Sequence, residues 1–241
     1  MLILALDTAL ETCSAAVVRV ERVPATWSPV RRQGRAPARE SGAFPGSDDP
    51  GKARVRVLAA RSEPMARGHQ ERIAPLVDEL AREAGIAFPE LDRIGATRGP
   101  GSFTGLRVGL AFAKGLGFAL GRPVVGIGTL QAIAAGVEGA CAAVIDARRG
   151  QVYVQAFRDG EPLTPPEALT LEDAAARLAP VRPARLVGPG AALLAPAFPE
   201  AGLRQAGVDP VALAALAAAA PEPAAPPEPL YLRAPDAKLP A

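Results

Sequence analysis

The chain has 241 residues, with 27 Lys and Arg against 25 Asp and Glu and a formal net charge of +2. That length gives one large domain or two small ones, and the near balance of charge excludes the broad basic field that holds nucleic acid by charge alone. Cys13 and Cys141 make no disulfide framework and suit a reducing compartment.

The start, Met1-Leu2-Ile3-Leu4-Ala5-Leu6-Asp7, lacks a basic lead, and its apolar run is too short for a signal peptide. No apolar run reaches a membrane span once its Gly, Arg and Lys interruptions are counted. A cytoplasmic protein without a membrane segment is therefore expected. Leu2–Leu6, ended by Asp7-Thr8, reads as a buried strand, and Cys13–Val20, small and β-branched, as a second. Residues 22–54 change character. Pro24, Pro29, Pro37, Pro45 and Pro50 break any regular element, and Arg31, Arg32, Arg35 and Arg39 add charge, so the segment reads as an inserted loop. Arg54–Arg61 returns to strand-like alternation.

Glu71–Ala84 is predicted helical, with Ile73, Leu76, Val77 and Leu80 at steps of three and four and Gly85 at the C-terminal cap position. Ile94–Thr97 is a short strand, followed by Arg98-Gly99-Pro100-Gly101-Ser102-Phe103-Thr104-Gly105 and a helix from Thr104 to about Leu120. In that helix Gly109, Ala113 and Gly117 form one stripe of small residues, and Ala111, Gly115 and Ala119 another on roughly the opposite side. Apolar residues fill the gaps, so the helix reads as buried nearly all round. One face would pack on the sheet, and the other would need a cover from this chain or from a second protein.

Val124–Ile127 is a further strand, and Thr129–Ala135 a helix. Ala142–Asp146 and Gln151–Arg158 form a hairpin that echoes the opening pair, so Leu2–Asp7 and Ala142–Asp146 read as the first strands of two related halves. Glu172–Leu178 and Val211–Ala219 are helical, Arg185–Val187 is a strand, and Gly188-Pro189-Gly190 is a second glycine turn. Pro221–Pro229 is a Pro/Ala linker, and the tail beyond it docks back through Leu230, Tyr231 and Leu232.

The glycine loop is a candidate anion cradle, because glycines admit close approach and a helix start offers free N–H groups. It is neither a Walker A motif, lacking the Lys, nor a dinucleotide fingerprint, having Thr104 where the third glycine would stand. A tight turn with close packing is the competing reading. Asp7 and Asp146 each end an apolar strand, where carboxylates of an α/β protein face a cleft and would hold a hydrated Mg²⁺ or polarise a nucleophile. A turn or capping role is the alternative for each. His69 is the one histidine, and with two distant cysteines it does not supply the ligands of a zinc hydrolase. Ser102 has no histidine base close in sequence. No catalytic residue, metal ligand or cofactor is assigned from these patterns.

Leu4–Thr8, His69–Leu76, Thr97–Gly109, Gly126–Leu130, Ile145–Arg148 and Tyr231–Pro235 together resemble the TsaB (YeaZ) family of tRNA threonylcarbamoyladenosine biosynthesis. The resemblance covers nearly the whole chain outside residues 22–54. It implies an α/β, actin-like, duplicated two-lobed fold of the sugar kinase and heat-shock ATPase type, with lobes at 1–120 and 121–241. It also implies a paralogue of TsaD, the subunit that transfers threonylcarbamoyl to the adenosine beside the anticodon. TsaD binds metal through two histidines four residues apart. The corresponding places here are Thr129 and Ile133, which offer no imidazole.

By resemblance, then, the chain is a non-catalytic scaffold that forms a heterodimer with a TsaD homologue, is joined by the ATPase TsaE, and meets tRNA through the complex. Alone it would form a homodimer. The implied partner interface is Ile73, Leu76, Val77, Leu80, Leu110, Ala113, Leu116 and Gly117. Asp7, Thr8, Gly99, Gly101, Ser102, Thr104 and Asp146 are candidates for a vestigial nucleotide site. The alternative function is a nucleotide-binding ATPase or phosphotransferase that uses the cleft aspartates.

Overall fold

The structure is a computed structural model, described here for residues 1–21 and 55–233. The inserted loop expected at residues 22–54 lies outside the described residues. Its flanking strands do pair: β2 (Thr12–Val20) runs antiparallel to β3 (Val55–Pro64), with Val20 opposite Val55.

The apolar run Leu2–Asp7 becomes β1, buried along its whole length. Both of its faces are covered, which explains a continuous apolar run in place of alternation. β1 pairs with β2 on one side and with β4 (Arg93–Gly99) in parallel on the other. Strand β5 (Val124–Gly128) completes a five-stranded sheet of order β3-β2-β1-β4-β5. Between β3 and β4 lies α1 (His69–Ala84), and between β4 and β5 lies α2 (Phe103–Leu120). Both helices cover one face of this sheet through Leu4, Leu6, Ile73, Leu76, Leu80 and Leu110. Helix α1 begins two residues before the predicted start. Gly68, at φ 89°, turns the chain into it.

The second sheet repeats the plan. After α3 (Thr129–Ala134), β6 (Ala140–Arg148) and β7 (Gln151–Arg158) form the antiparallel hairpin. β8 (Glu161–Pro162) and β9 (Glu167–Thr170) add to β7, and then comes α4 (Leu171–Leu178). β10 (Arg185–Val187) pairs in parallel with β6 on one side and with β11 (Gly202–Arg204) on the other, and the short α5 (Ala191–Leu194) lies between them in the chain. Read from β9, the order β9-β7-β6-β10-β11 matches β3-β2-β1-β4-β5. The fold is therefore a duplicated α/β architecture of the actin-like type, with β1 and β6 as the equivalent central strands.

Two expectations need correction. β5 belongs to the first sheet, so the change of lobe falls after residue 128 and not at residue 120. The last helix, α6 (Pro210–Ala219), packs on β1, β2 and β4 of the first sheet. Arg93 fixes it there: its buried guanidinium donates to the carbonyls of Ala217 (2.8 Å) and Ala220 (2.6 Å) at the helix C-terminus, where a cation also meets the negative end of the helix dipole. The core between the lobes joins Ile3, Ala5 and Val18 of the first sheet to Ile145 and Phe157 of the second, with Ile133 of α3 and Leu213 of α6 between them.

Candidate functional site

Asp7 ends β1 with its side chain fully buried. Its Oδ1 accepts from the Thr97 hydroxyl (2.6 Å) and from the Ala9 amide (3.0 Å), while Oδ2 has no partner. Burial pushes this carboxyl up to about 6, against the lowering effect of the Thr97 and Ala9 hydrogen bonds and, last, of the His69 charge. Ser14 stands directly opposite Asp7 in the β1–β2 register, and its hydroxyl is also buried without a partner. His69 is the first residue of α1, and its Nε2 lies 3.2 Å from the Thr12 carbonyl.

The glycine loop closes over the turn that follows Asp7. The Ser102 amide donates to the Ala9 carbonyl (2.8 Å), and the Thr8 hydroxyl donates to the Gly105 carbonyl (2.7 Å). A side chain at Gly101 would overlap Ala9, and one at Gly105 would overlap the Thr8 carbonyl. Gly99, at φ 116°, lies beneath the backbone of Leu230, whose amide donates to Arg98 (2.6 Å). Ser102 caps α2 by accepting from the Gly105 amide (3.3 Å), and Thr104 is exposed on the first turn. These glycines therefore serve close backbone packing. The Ser102 and Gly105 amides are spent within the chain, on the Ala9 carbonyl and the Ser102 hydroxyl. A cleft beside Gly99, Pro100, Gly128 and Gln131 holds about 150 Å³, below the ~300 Å³ at which small-molecule pockets begin.

Asp146 stands at the equivalent end of β6 but is half-exposed, and its Oδ1 accepts from the Arg148 amide (2.7 Å), as in an Asx turn. Arg148 also pairs with Glu11 (2.8 Å), linking the hairpin turns of the two lobes. Gly190, from the second Gly-Pro-Gly turn, packs against Ile145 and Asp146 much as Gly101 packs on Ala9. The identical tripeptides Gly99–Gly101 and Gly188–Gly190 were the sequence signal for this second lock.

No group of three or more His, Cys, Asp or Glu side chains is placed to hold a metal among the described residues. Thr129 and Ile133 lie one turn apart on α3, both buried. A hydroxyl and an alkyl group there do not fit the metal that the TsaD resemblance would imply.

The expected partner interface needs correction. Ile73, Leu76, Val77, Leu80, Leu110, Ala113 and Gly117 are buried within the chain, and Leu116 is half-buried against the same core. Gly117 touches Val124, so a bulky residue there would disturb the fold. Helix α2 is also not buried all round. It is long and apolar enough to cross a membrane by length and composition, but its inner stripe of Gly109, Ala113 and Gly117 packs on the first lobe. The opposite stripe of Ala111, Gly115 and Ala119 is exposed, with Phe118 at 92%. Large and small apolar residues alternate all round the helix, so the sequence could not tell the two stripes apart.

The family model for TsaD, tRNA N6-adenosine threonylcarbamoyltransferase, matches residues 62–192, more than half of the chain. An uncharacterized protein of Mycobacterium leprae is 39% identical over 189 residues, 76% of this chain and 49% of that protein. The Escherichia coli tRNA threonylcarbamoyladenosine biosynthesis protein TsaB is 36% identical over 110 residues, 44% of this chain and 48% of that protein. The chain thus spans about half the length of these two relatives. A crystal structure from Pseudomonas aeruginosa, described as similar to peptidase YeaZ, superposes with a TM-score of 0.67 at 26% identity, covering 96% of this chain and 99% of that one.

Proposed function

Because the chain belongs to the TsaB/YeaZ family, we propose that it acts in the biosynthesis of tRNA threonylcarbamoyladenosine as a non-catalytic subunit. It binds a TsaD homologue as a heterodimer, supports threonylcarbamoyl transfer by that partner, is joined by a TsaE-type ATPase, and meets tRNA through the complex in the cytoplasm. One observation carries this reading. The loop that a nucleotide enzyme would open to its ligand is packed shut by Ala9 and Leu230, whereas α2 leaves an apolar face in solvent. Exposed apolar helix faces of this kind mark protein contacts.

The test is light scattering after size exclusion, on the chain alone and mixed with the TsaD homologue of the same organism. A one-to-one complex that replaces any homodimer is expected, together with faster threonylcarbamoyl transfer in a reconstituted assay. Absence of a complex, with and without TsaE and nucleotide, overturns the reading.

The nucleotide-dependent alternative has one observation in its favour, the unpartnered Oδ2 of the buried Asp7. Turnover of ATP by the isolated chain that is lost in Asp7→Ala would support it. No binding at millimolar ATP would remove it.

A further inference from the structure

Beyond α6 the chain crosses from one lobe to the other. Residues 220–233 form no helix or strand. Pro221, Pro223, Pro226, Pro227 and Pro229 restrict the backbone there, so the segment gives up little freedom when it docks. On the first lobe it is held at successive residues. Pro227 rests on Gly126, and the Leu230 amide donates to the Arg98 carbonyl (2.6 Å). The Tyr231 hydroxyl accepts from Arg107 Nε (3.1 Å), and its ring lies 5.2 Å from that of Phe103. Glu228 pairs with Lys114 (3.2 Å) but is 81% exposed, so that pair adds little.

At Arg233 the chain has reached the second lobe, where the guanidinium donates to the Ala147 carbonyl (2.6 Å). This bond is charge-assisted and partly buried. Its place mirrors the other end: Leu230 lies on Gly99, in the glycine turn of the first lobe, and Ala147 follows Asp146 as Thr8 follows Asp7. Between the two ends is the cleft described above. Gly99 and Gly128 line it from the first lobe, Gln155 and Phe157 from the second, and Leu230 of the tail supplies part of its wall. From Tyr231 to Arg233 is at most about 7 Å of extended chain. A segment this short, held at both ends, has no slack with which to leave one lobe and stay on the other.

We propose that residues 227–233 are an inter-lobe strap. Leu230 and Tyr231 fix it to the first lobe, Arg233 latches it to the second, and it docks and releases as one unit. The cleft is thereby closed by the chain's own residues, with no need of a ligand to bridge the lobes. Arg233 is a positioning residue, acting through the Ala147 turn. The inference goes beyond the proposed heterodimer, and its test uses the full chain alone.

The test is nuclear magnetic resonance of the isotope-labelled protein, with two reporters. The first is hydrogen exchange of the Leu230 amide, and the second is the carbon shift of the Ala147 carbonyl. Arg233→Ala should speed exchange at Leu230 about tenfold, the equilibrium worth of one hydrogen bond from a charged group. Tyr231→Ala, on the first lobe, should move the Ala147 carbonyl on the second lobe towards its position in Arg233→Ala. Amides of the buried strand β1 report global unfolding. Acceleration at Leu230 with β1 unchanged separates release of the strap from general loss of stability. Should a variant also accelerate β1, the ratio of the Leu230 rate to the β1 rates is compared, and a rise in it is expected. An unchanged Leu230 rate or ratio in Arg233→Ala, or an unmoved Ala147 carbonyl in Tyr231→Ala, means that the two ends fray independently and overturns the strap. Millimolar ATP should alter neither reporter. Loss of Leu230 protection in ATP would make the segment a lid over a nucleotide site and overturn closure by the chain itself.

Discussion

Asp7→Asn isolates the energetic consequence of burying a carboxyl beneath the glycine loop. Its pKa moves from an ordinary 3.8 to about 6 because burial disfavours the charge more than Thr97 and Ala9 favour it. A shift of one in pKa is worth about 1.4 kcal/mol, so above the folded-state value ionised Asp7 costs the folded protein about 3 kcal/mol. Because the folded-state value is the higher one, the folded chain holds the proton more tightly. Stability from this group is complete below about 3.8 and is lost as pH rises through about 6. Asparagine keeps an oxygen for Thr97 and Ala9 and does not ionise. Urea unfolding of both proteins across the pH range removes every other titration by difference. Wild-type stability should fall relative to the variant by about 2 kcal/mol between about pH 4.5 and about pH 8. A difference that stays flat across that range would refute the reasoning, and would mean that Asp7 is solvated or charge-compensated in the folded state.

Three further outcomes test the packing and the surface ion pairs. Gly105→Ala should destabilise by about 2 kcal/mol in thermal or urea unfolding, because its Cβ meets the Thr8 carbonyl; helix propensity alone predicts the opposite sign by up to about 1 kcal/mol. Phe157→Ala removes a ring that is 1% exposed in the inter-lobe core and should cost about 3–5 kcal/mol by denaturant titration. Arg72 donates to Glu63 and Glu79, which holds Glu79 down at about 2 and lowers Glu63 as well. That stabilisation is present above the ordinary glutamate range and lost as pH falls towards about 2. Arg72→Met should therefore flatten the acid limb of a stability–pH profile, and an unchanged limb would show that the pairing contributes nothing measurable.

The strands were legible wherever burial left one signature. β1 is apolar without a break because both faces are covered, and the β6–β7 hairpin announced itself through its turn and alternation. Strand β3 extends three residues past its predicted end, to Pro64. Glu63 looks like a loop residue in sequence but sits on a strand edge, where it pairs with Arg72 of α1, as its neighbour Arg61 pairs with Glu79. The site was half legible. Asp7 and the glycines stand out in the sequence, but their surroundings depend on what fills the loop, and that is the Ala9 turn and the distant Leu230. The orientation of α2 was illegible because small residues line two opposite stripes. Aromatic exposure at Phe103, Phe118 and Tyr231 is a property of the assembled surface, and local pattern does not encode it. The place of α6 was missed because nearness in the chain pointed to the second lobe, whereas Arg93 and Gly95 of β4 receive it on the first.

The return of α6 to the first sheet bears on how the protein emerges from the ribosome. β1 is synthesised first, yet one of its two faces is covered by a helix made some two hundred residues later. Until that helix arrives, Ile3, Ala5 and Val18 lack part of their apolar cover. The nascent first lobe must therefore wait, partly uncovered, through synthesis of the whole second lobe, a state that invites chaperone binding. The two lobes are repeats in architecture, but the first takes part of its cover from a helix that follows the second in the chain.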